Sequence, residues 1–455
     1  MASVYIKNAK AVVTVDSQDS VLYNTGIFIE DGVITYIGDS VKEADETIDA
    51  SGCFVYPGLV NTHHHLYQTF TRNLPKVQKM ELFPWLVTLY EIWRELNDEC
   101  IYYSSLVGMG ELLKYGCTTC MDHHYVFPKT GSEAFIDRQF QASDALGIRF
   151  HATRGSMSRG KSDGGLPPDD LVQPVDVILR DCERLVKKFH DPGEFSMHQV
   201  SLAPCSPFSV TTELLKETAV AAREMGVRIH THLCETKDEE DFCLDVVGRR
   251  PLQYMADCGW TGSDVWFAHG IYFNDEELKL LADTQTGIAH CPVSNMKLAS
   301  GVCRIPEMLD LGIPVGLAVD GSASNDCSNL MAEIRAAYLL HRLTYSTNAP
   351  TGYDLLKMAT KGSASVLGRH DIGSIEVGKA GDIFMIDVEQ LECVGTDLDP
   401  ACFLGTVGYS RPAEYVLVQG KIVVDHGTIL GIDEEKVRIK ADAAVKNMLK
   451  KEIGR

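Results

Sequence analysis

The sequence predicts an α/β protein: a closed (β/α)8 TIM-like barrel with a small β-sandwich domain formed from both chain ends. Three observations predict it. Helical and short apolar stretches alternate about eight times through the middle of the chain. Polar residues stand at the C-terminal end of nearly every proposed strand: His63, His65, His123, Arg154, Cys205, His232, His269, His290 and Asp320. The two chain ends share a grammar of short alternating strands that the middle lacks.

The elements follow in order. "SVYIKNAKAVVTV", "TGIFIEDGVITYIG" and "ETIDASGCFV" read as alternating strands, and "EDG" between "IFI" and "VITYI" marks a hairpin. These assign residues 1–58 to the small domain. The barrel is expected over 59–371. "LFPWLVTLYEIWRELN" and "IYYSSLVGMGELLKYG" carry helical apolar spacing and precede the strand "CTTCMDHH". "FIDRQFQASDALG" leads to "IRFHATRG", "DVILRDCERLVKKFH" to "HQVSLAPCS", and "TELLKETAVAAREMG" to "VRIHTHLCE". "PLQYMADCGWTGSD" leads to "VWFAHG", "DEELKLLADTQ" to "GIAHCP", and "IPEMLDLG" to "IPVGLAVDG". An open doubly wound sheet competes, but it normally carries a Gly-rich phosphate loop after its first strand, and "VNTHHHL" is not one. "GSIEVGKAGDIFMIDV" and "AEYVLVQGKIVVDHGTI" return to strand grammar and assign 372–432 to the small domain, with a charged terminal helix over 433–455.

At 455 residues the chain exceeds the size at which a single core stops growing. Lys and Arg total 42 against 63 Asp and Glu, a formal charge of −21 that repels phosphate backbones and anionic lipid. Neither nucleic acid nor a membrane is an expected partner. No stretch approaches the ~20 apolar residues that span a bilayer, and the start lacks the basic-then-apolar order of a leader. A cytoplasmic location is expected, with the 14 cysteines as reduced thiols, many of them buried. Cys117 and Cys120 have metal-like spacing, but no second pair completes a knuckle. On a strand, positions three apart also face opposite sides.

"VNTHHHL" raises the question of which imidazoles act together. Strand side chains alternate faces, so His63 and His65 share the barrel mouth while His64 points toward the helices as a bystander or supporting group. "VRIHTHLCET" adds His232, with His230 two residues before it and Glu235 three after; "WFAHG" adds His269. Asp320 is an acid on an otherwise apolar strand; in turn-rich "DGSAS" it is either a helix cap or a ligand or base. Three imidazoles and a carboxylate hold one divalent ion and leave a position for water, whose pKa falls toward ~7. Glu235 lies near this set without belonging to it, where an acid can protonate a leaving amine.

Taken together, "PGLVNTHHH", "HTHLCE", "FAHG", "HCPVSNMKLASG", "VGLAVDGSASND" and "IGSIEVGKAGDIFMID" resemble the amidohydrolase superfamily, in its branch of heterocycle aminohydrolases. "NTHHHLYQTFTR", "ELFPWL", "RFHATRGSM", "GGLPPD" and "LAPCSPFSVT" are similar to the 8-oxoguanine deaminases within that branch. The resemblance covers essentially the whole chain. It implies one catalytic divalent metal ion, usually Zn2+ and sometimes Fe2+, held by His63, His65, His232 and Asp320. It implies Glu235 as proton shuttle and His269 as the group that orients the attacking water. Two-metal relatives carry a bridging lysine on the fourth strand; "HQVSLAPCS" has none, which supports one metal.

By the same likeness Gln68 reads the amide edge of a purine, against a solvent-facing glutamine at a helix start. Trp85 stacks on a flat ring or packs in the core. Arg154 and Cys205, at strand ends, are expected to line the pocket. His123, His124 and His290 are equally well explained as helix caps or buried hydrogen bonds. The implied reaction is hydrolytic deamination of a small heterocycle, 8-oxoguanine to urate and ammonia. Isocytosine, guanine, a pterin or an s-triazine are alternatives, the last including loss of another leaving group, and a barrel retained only as a scaffold is a third class. A homo-oligomer is the expectation carried by the family.

Overall fold

A single residue, Gly58, separates two sheets. A β-carbon there would stand 2.1 Å from Thr118 Oγ1, so the close approach demands glycine. The computed structural model describes residues 3–40 and 43–453. Five strands precede Gly58: β1 (Ser3–Val13), β2 (Val21–Glu30), β3 (Val33–Gly38), β4 (Glu46–Asp49) and β5 (Cys53–Pro57). Eight follow it: β6 (Leu59–Asn61), β7 (Cys117–Asp122), β8 (Arg149–Ser156), β9 (His198–Pro204), β10 (Ile229–Leu233), β11 (Val265–His269), β12 (Gly287–His290) and β13 (Val315–Leu317). The last are β14 (Ile383–Asp387), β15 (Tyr415–Val418), β16 (Lys421–Asp425) and β17 (Thr428–Ile429).

Strands β6 to β13 pair in sequence order, each parallel to the next. The ring closes where Thr62 donates to the Leu317 carbonyl from both its backbone N–H (3.3 Å) and its hydroxyl (3.0 Å). Helices cover the outside because each carries one apolar stripe. Val175–Phe189 buries Ile178, Cys182 and Leu185, spaced four and three apart. Thr212–Met225 starts where the Thr211 hydroxyl accepts from Leu214 N–H and stops at Gly226 with φ +69°. Among the described residues, no helix is long and apolar enough to cross a membrane.

The small sheet runs β17-β16-β15-β14-β5-β1-β2-β3, with β4 beside β1. Its central join, β14 antiparallel to β5, ties the two chain ends together. The sheet curls over one apolar layer that includes Ile6, Val12, Ile27, Val55, Ile383 and Leu417. The edge strand β3 folds back onto the segment that leads into β14, where Ile34 N–H donates to the Lys379 carbonyl and Gly381 N–H to the Gly32 carbonyl, both at 2.8 Å. The expected sandwich is therefore folded from one hydrogen-bonded sheet. Arg149 at the base of the barrel reaches Asp382 through two N–H groups at 2.9 and 3.2 Å, and both side chains are 1% exposed. The same guanidinium donates to the carbonyls of Phe195 and Ser196 at 2.7 Å. The expected terminal helix is split in two, Glu434–Met448, anchored by Glu434 to Lys114, and a short Lys450–Ile453. All 14 cysteines are free thiols; Cys117 and Cys120 are buried in β7.

Candidate metal centre

Parallel closure brings the C-terminal strand ends to one mouth, and there the histidines meet. Their hydrogen bonds fix which ring nitrogen faces inward. His65 Nδ1 lies 2.6 Å from the His123 carbonyl, and His232 Nδ1 lies 2.6 Å from the Cys205 carbonyl. A carbonyl only accepts, so both Nδ1 atoms carry the proton. His230 Nδ1 donates to the Trp266 carbonyl at 2.9 Å, leaving His230 Nε2 to accept from His63 Nδ1 at 2.8 Å. His63, His65 and His232 therefore turn bare Nε2 atoms to the same point.

That point is electron-rich. His65 Nε2 and His232 Nε2 are 3.1 Å apart, and His63 Nε2 is buried with no hydrogen-bond partner. Asp320 Oδ1 stands 3.3 Å from His63 Nε2 and 3.2 Å from His65 Nε2. Lone pairs this close repel unless a cation lies among them, and imidazole with carboxylate is a donor set that suits Zn2+. Burial, with neighbouring imidazoles, pushes His232 down to about 3 and His63 well below its ordinary value, so both are neutral. Burial alone would raise the Asp320 carboxyl, and positive charge on the His63 and His65 side of it is what holds it well below the usual range. Ser294 and Ser324 hydroxyls donate to Asp320 Oδ2 at 2.6 and 3.1 Å, and Gly321 N–H donates to Oδ1 at 2.6 Å.

Glu235 and His269 complete the mouth. Parity along β11 places His269 opposite to Trp266, whose ring stacks on His230 at 4.5 Å. A left-handed backbone at His269, φ +72°, turns its side chain in. Its Nδ1 donates to Asn295 Oδ1 at 2.8 Å, and Nε2 lies 3.4 Å from Glu235 Oε2. Burial raises the Glu235 carboxyl more than His269 lowers it.

A small pocket opens onto this cluster, and Gln68, Trp85 and Cys205 all line it. Gln68 is buried, not solvent-facing: its Oε1 has no partner and packs against Gly321, where a β-carbon would stand 2.0 Å away. Trp85 forms a wall and meets Trp93 edge-on at 5.6 Å. Burial pushes the Cys205 thiol up to about 12, and the Cys205 carbonyl holds His232. Arg154 corrects the expectation. It has the parity of Phe150, which packs on Phe140 outside the barrel. Its guanidinium bonds Asp181 at 2.5 Å and Gln173 at 2.8 Å and lies 3.7 Å over the Phe127 ring. It braces a helix and does not line the pocket.

His64 turns outward, 2.9 Å from Ser328 Oγ, and His124 bonds the Val126 carbonyl. His290 pairs with His341 at 3.1 Å, a buried hydrogen bond. His123 lies closer to the cluster than a cap would: it stacks on His232 at 4.8 Å and donates from Nε2 to the Ala203 carbonyl. Sequence reasoning passed over Tyr125, which lines the pocket with its ring edge-on to His65 at 5.0 Å, and Ser294, Asn295 and Ser324. The last three stand in "HCPVSNMKLASG" and "VDGSASND", where short polar residues beside a strand end were the available signal.

A barrel whose strand ends gather such a cluster has the plan of a metal-dependent hydrolase. The amidohydrolase family model matches residues 54–423, and the chain belongs to that family. It is 45% identical over 437 residues to 8-oxoguanine deaminase of Pseudomonas aeruginosa, covering 95% of this chain and 96% of that protein. It is 39% identical to hydroxydechloroatrazine ethylaminohydrolase of Pseudomonas sp. strain ADP, over 96% and 94% of the two chains. Atrazine chlorohydrolase from Arthrobacter aurescens TC1 complexed with zinc superposes with a TM-score of 0.94 at 34% identity, covering 97% of this chain and all of that one.

Proposed function

We propose that this chain is an aminohydrolase that converts 8-oxoguanine and water to urate and ammonia, with one divalent ion held by His63, His65, His232 and Asp320. The carrying observation is the convergence of three bare Nε2 atoms and a buried carboxylate beside a raised Glu235. Similarity to the P. aeruginosa deaminase supports the substrate. The bound ion supplies Lewis acidity and a water that ionises near pH ~7. Zn2+ is the favoured ion and Fe2+ the alternative, since the relative from A. aurescens carries zinc.

The chain's own residues then do the following. Asp320 accepts the proton of the attacking water, and His269, locked by Asn295, orients that water. Glu235 protonates the ring nitrogen, is reloaded with the proton that Asp320 took from water, and protonates the departing amine. The carbon–nitrogen bond then breaks, and the hydroxyl on that carbon returns the second water proton to Glu235 as the carbonyl forms. Gln68 meets the amide edge of the ring, and Trp85 and Cys205 shape the rest of the pocket. The relatives acting on triazines favour one further reading, amine loss from a hydroxylated s-triazine.

The test is a panel of 8-oxoguanine, guanine, isocytosine, isoxanthopterin and an ethylamino-substituted hydroxy-s-triazine, read as loss of substrate absorbance together with the ammonia or ethylamine released. 8-Oxoguanine is expected to give the highest kcat/KM, and a higher value for the triazine overturns the substrate assignment. Glu235→Gln is expected to lower kcat on the order of 10²–10⁴-fold with metal content unchanged; wild-type turnover rejects Glu235 as the proton carrier.

A further inference from the structure

We propose that Glu239 is the positioning residue for Glu235, a role that rests on the reading of Glu235 as proton carrier. Glu235 follows His232 by three residues, just past the end of β10, and the residue between strand and acid, Cys234, has a left-handed backbone with φ +54°. The peptide joining Cys234 to Glu235 is held at both of its polar ends. Its carbonyl accepts from Ile271 N–H at 2.8 Å and Tyr272 N–H at 3.0 Å, and its N–H donates to Glu239 Oε2 at 3.3 Å. Glu239 Oε1 also accepts from Cys234 N–H at 2.8 Å. Fixing that peptide plane fixes the direction in which the Glu235 side chain leaves the backbone.

The Glu235 carboxylate itself is loosely held. Its contacts to His269 Nε2 and Ser300 Oγ are both 3.4 Å, so its backbone must supply the placement.

Glu239 is an expensive way to cap a helix. It occupies the third position of Lys237–Val247, from which a capping glutamate ordinarily reaches the N–H of the cap residue. Here it reaches past Thr236, which makes no side-chain cap bond, to the two residues before it. It is fully buried, and among the described residues no lysine or arginine pairs with it. Burying a carboxyl without a cation costs stability, and a neutral serine or asparagine cap would serve the helix alone.

The test is a double-mutant cycle on the metal-loaded enzyme with the best substrate of the panel. Glu239→Gln is expected to lower kcat roughly 10–100-fold with KM and metal content little changed. In the Glu235→Gln background the same change is expected to cost almost nothing further, because there is no acid left to place. Glu239→Asp, one methylene short of Cys234, serves if the glutamine variant does not fold; its kcat is expected to fall as well. A lower melting temperature with wild-type kcat in both variants, or losses that multiply in the double variant, overturns the proposal. The two readings fail separately: Glu235→Gln with wild-type turnover removes the acid and this role with it. An impaired Glu235→Gln beside a fully active Glu239→Gln removes the positioning role alone.

Discussion

His230→Phe tests whether the ring-to-ring hydrogen bonds set metal affinity. Phenylalanine preserves the volume and the stack on Trp266, 4.5 Å away, but removes the acceptor 2.8 Å from His63 Nδ1. The buried N–H is then unsatisfied, at about 1–3 kcal/mol. The ring escapes that cost by moving its proton to Nε2, the nitrogen needed for the ion. Either route draws on the binding energy of the metal. At about 1.4 kcal/mol per decade, the expected weakening is roughly 5- to 150-fold, in the range seen when outer partners of ligating histidines are removed. Competition between the apo protein and a chromophoric zinc chelator measures it. His230→Gln supplies an amide oxygen in the same region and is expected to recover part of the loss. Wild-type zinc affinity in His230→Phe refutes the tautomer argument; equal losses in both variants assign the effect to packing.

Two further outcomes are expected. Arg154→Met removes the brace to Asp181 and Gln173, so it is expected to destabilise by about 2–4 kcal/mol while leaving KM unchanged. A raised KM would return Arg154 to the pocket. Acid should weaken the fold: burial drives His64 and His124 down to about 3 in the folded chain, against ~6.5 when unfolded. The unfolded state then binds more protons between those values, so stability is full above pH ~6.5 and is lost as pH falls toward ~3. Urea midpoints measured from pH 7 to 4.5 should decline steadily; a flat profile contradicts the buried neutral state.

The barrel was legible because its period-two strands and capped helices alternate in order, and parity alone separated His63 and His65 from His64. The same parity, left unapplied to "IRFHATRG", would have turned Arg154 outward with Phe150. His269 runs the other way: parity points it out, and a left-handed backbone, invisible to any side-chain pattern, brings it in. The choice of inward-facing nitrogen was also illegible, since it rests on carbonyls of Cys205, His123 and Trp266 that come from distant strands. The shared strand grammar of the two ends announced their union, but not that β5 and β14 would be its seam.

That seam has a consequence for how the molecule is made. During synthesis β5 emerges early, yet its antiparallel neighbour begins only at Ile383. Until then one side of β5 presents unsatisfied backbone groups, a template for another nascent chain. Chains halted before residue 383 should therefore clump on the ribosome or demand a chaperone, whereas full-length chains shield their own raw margin.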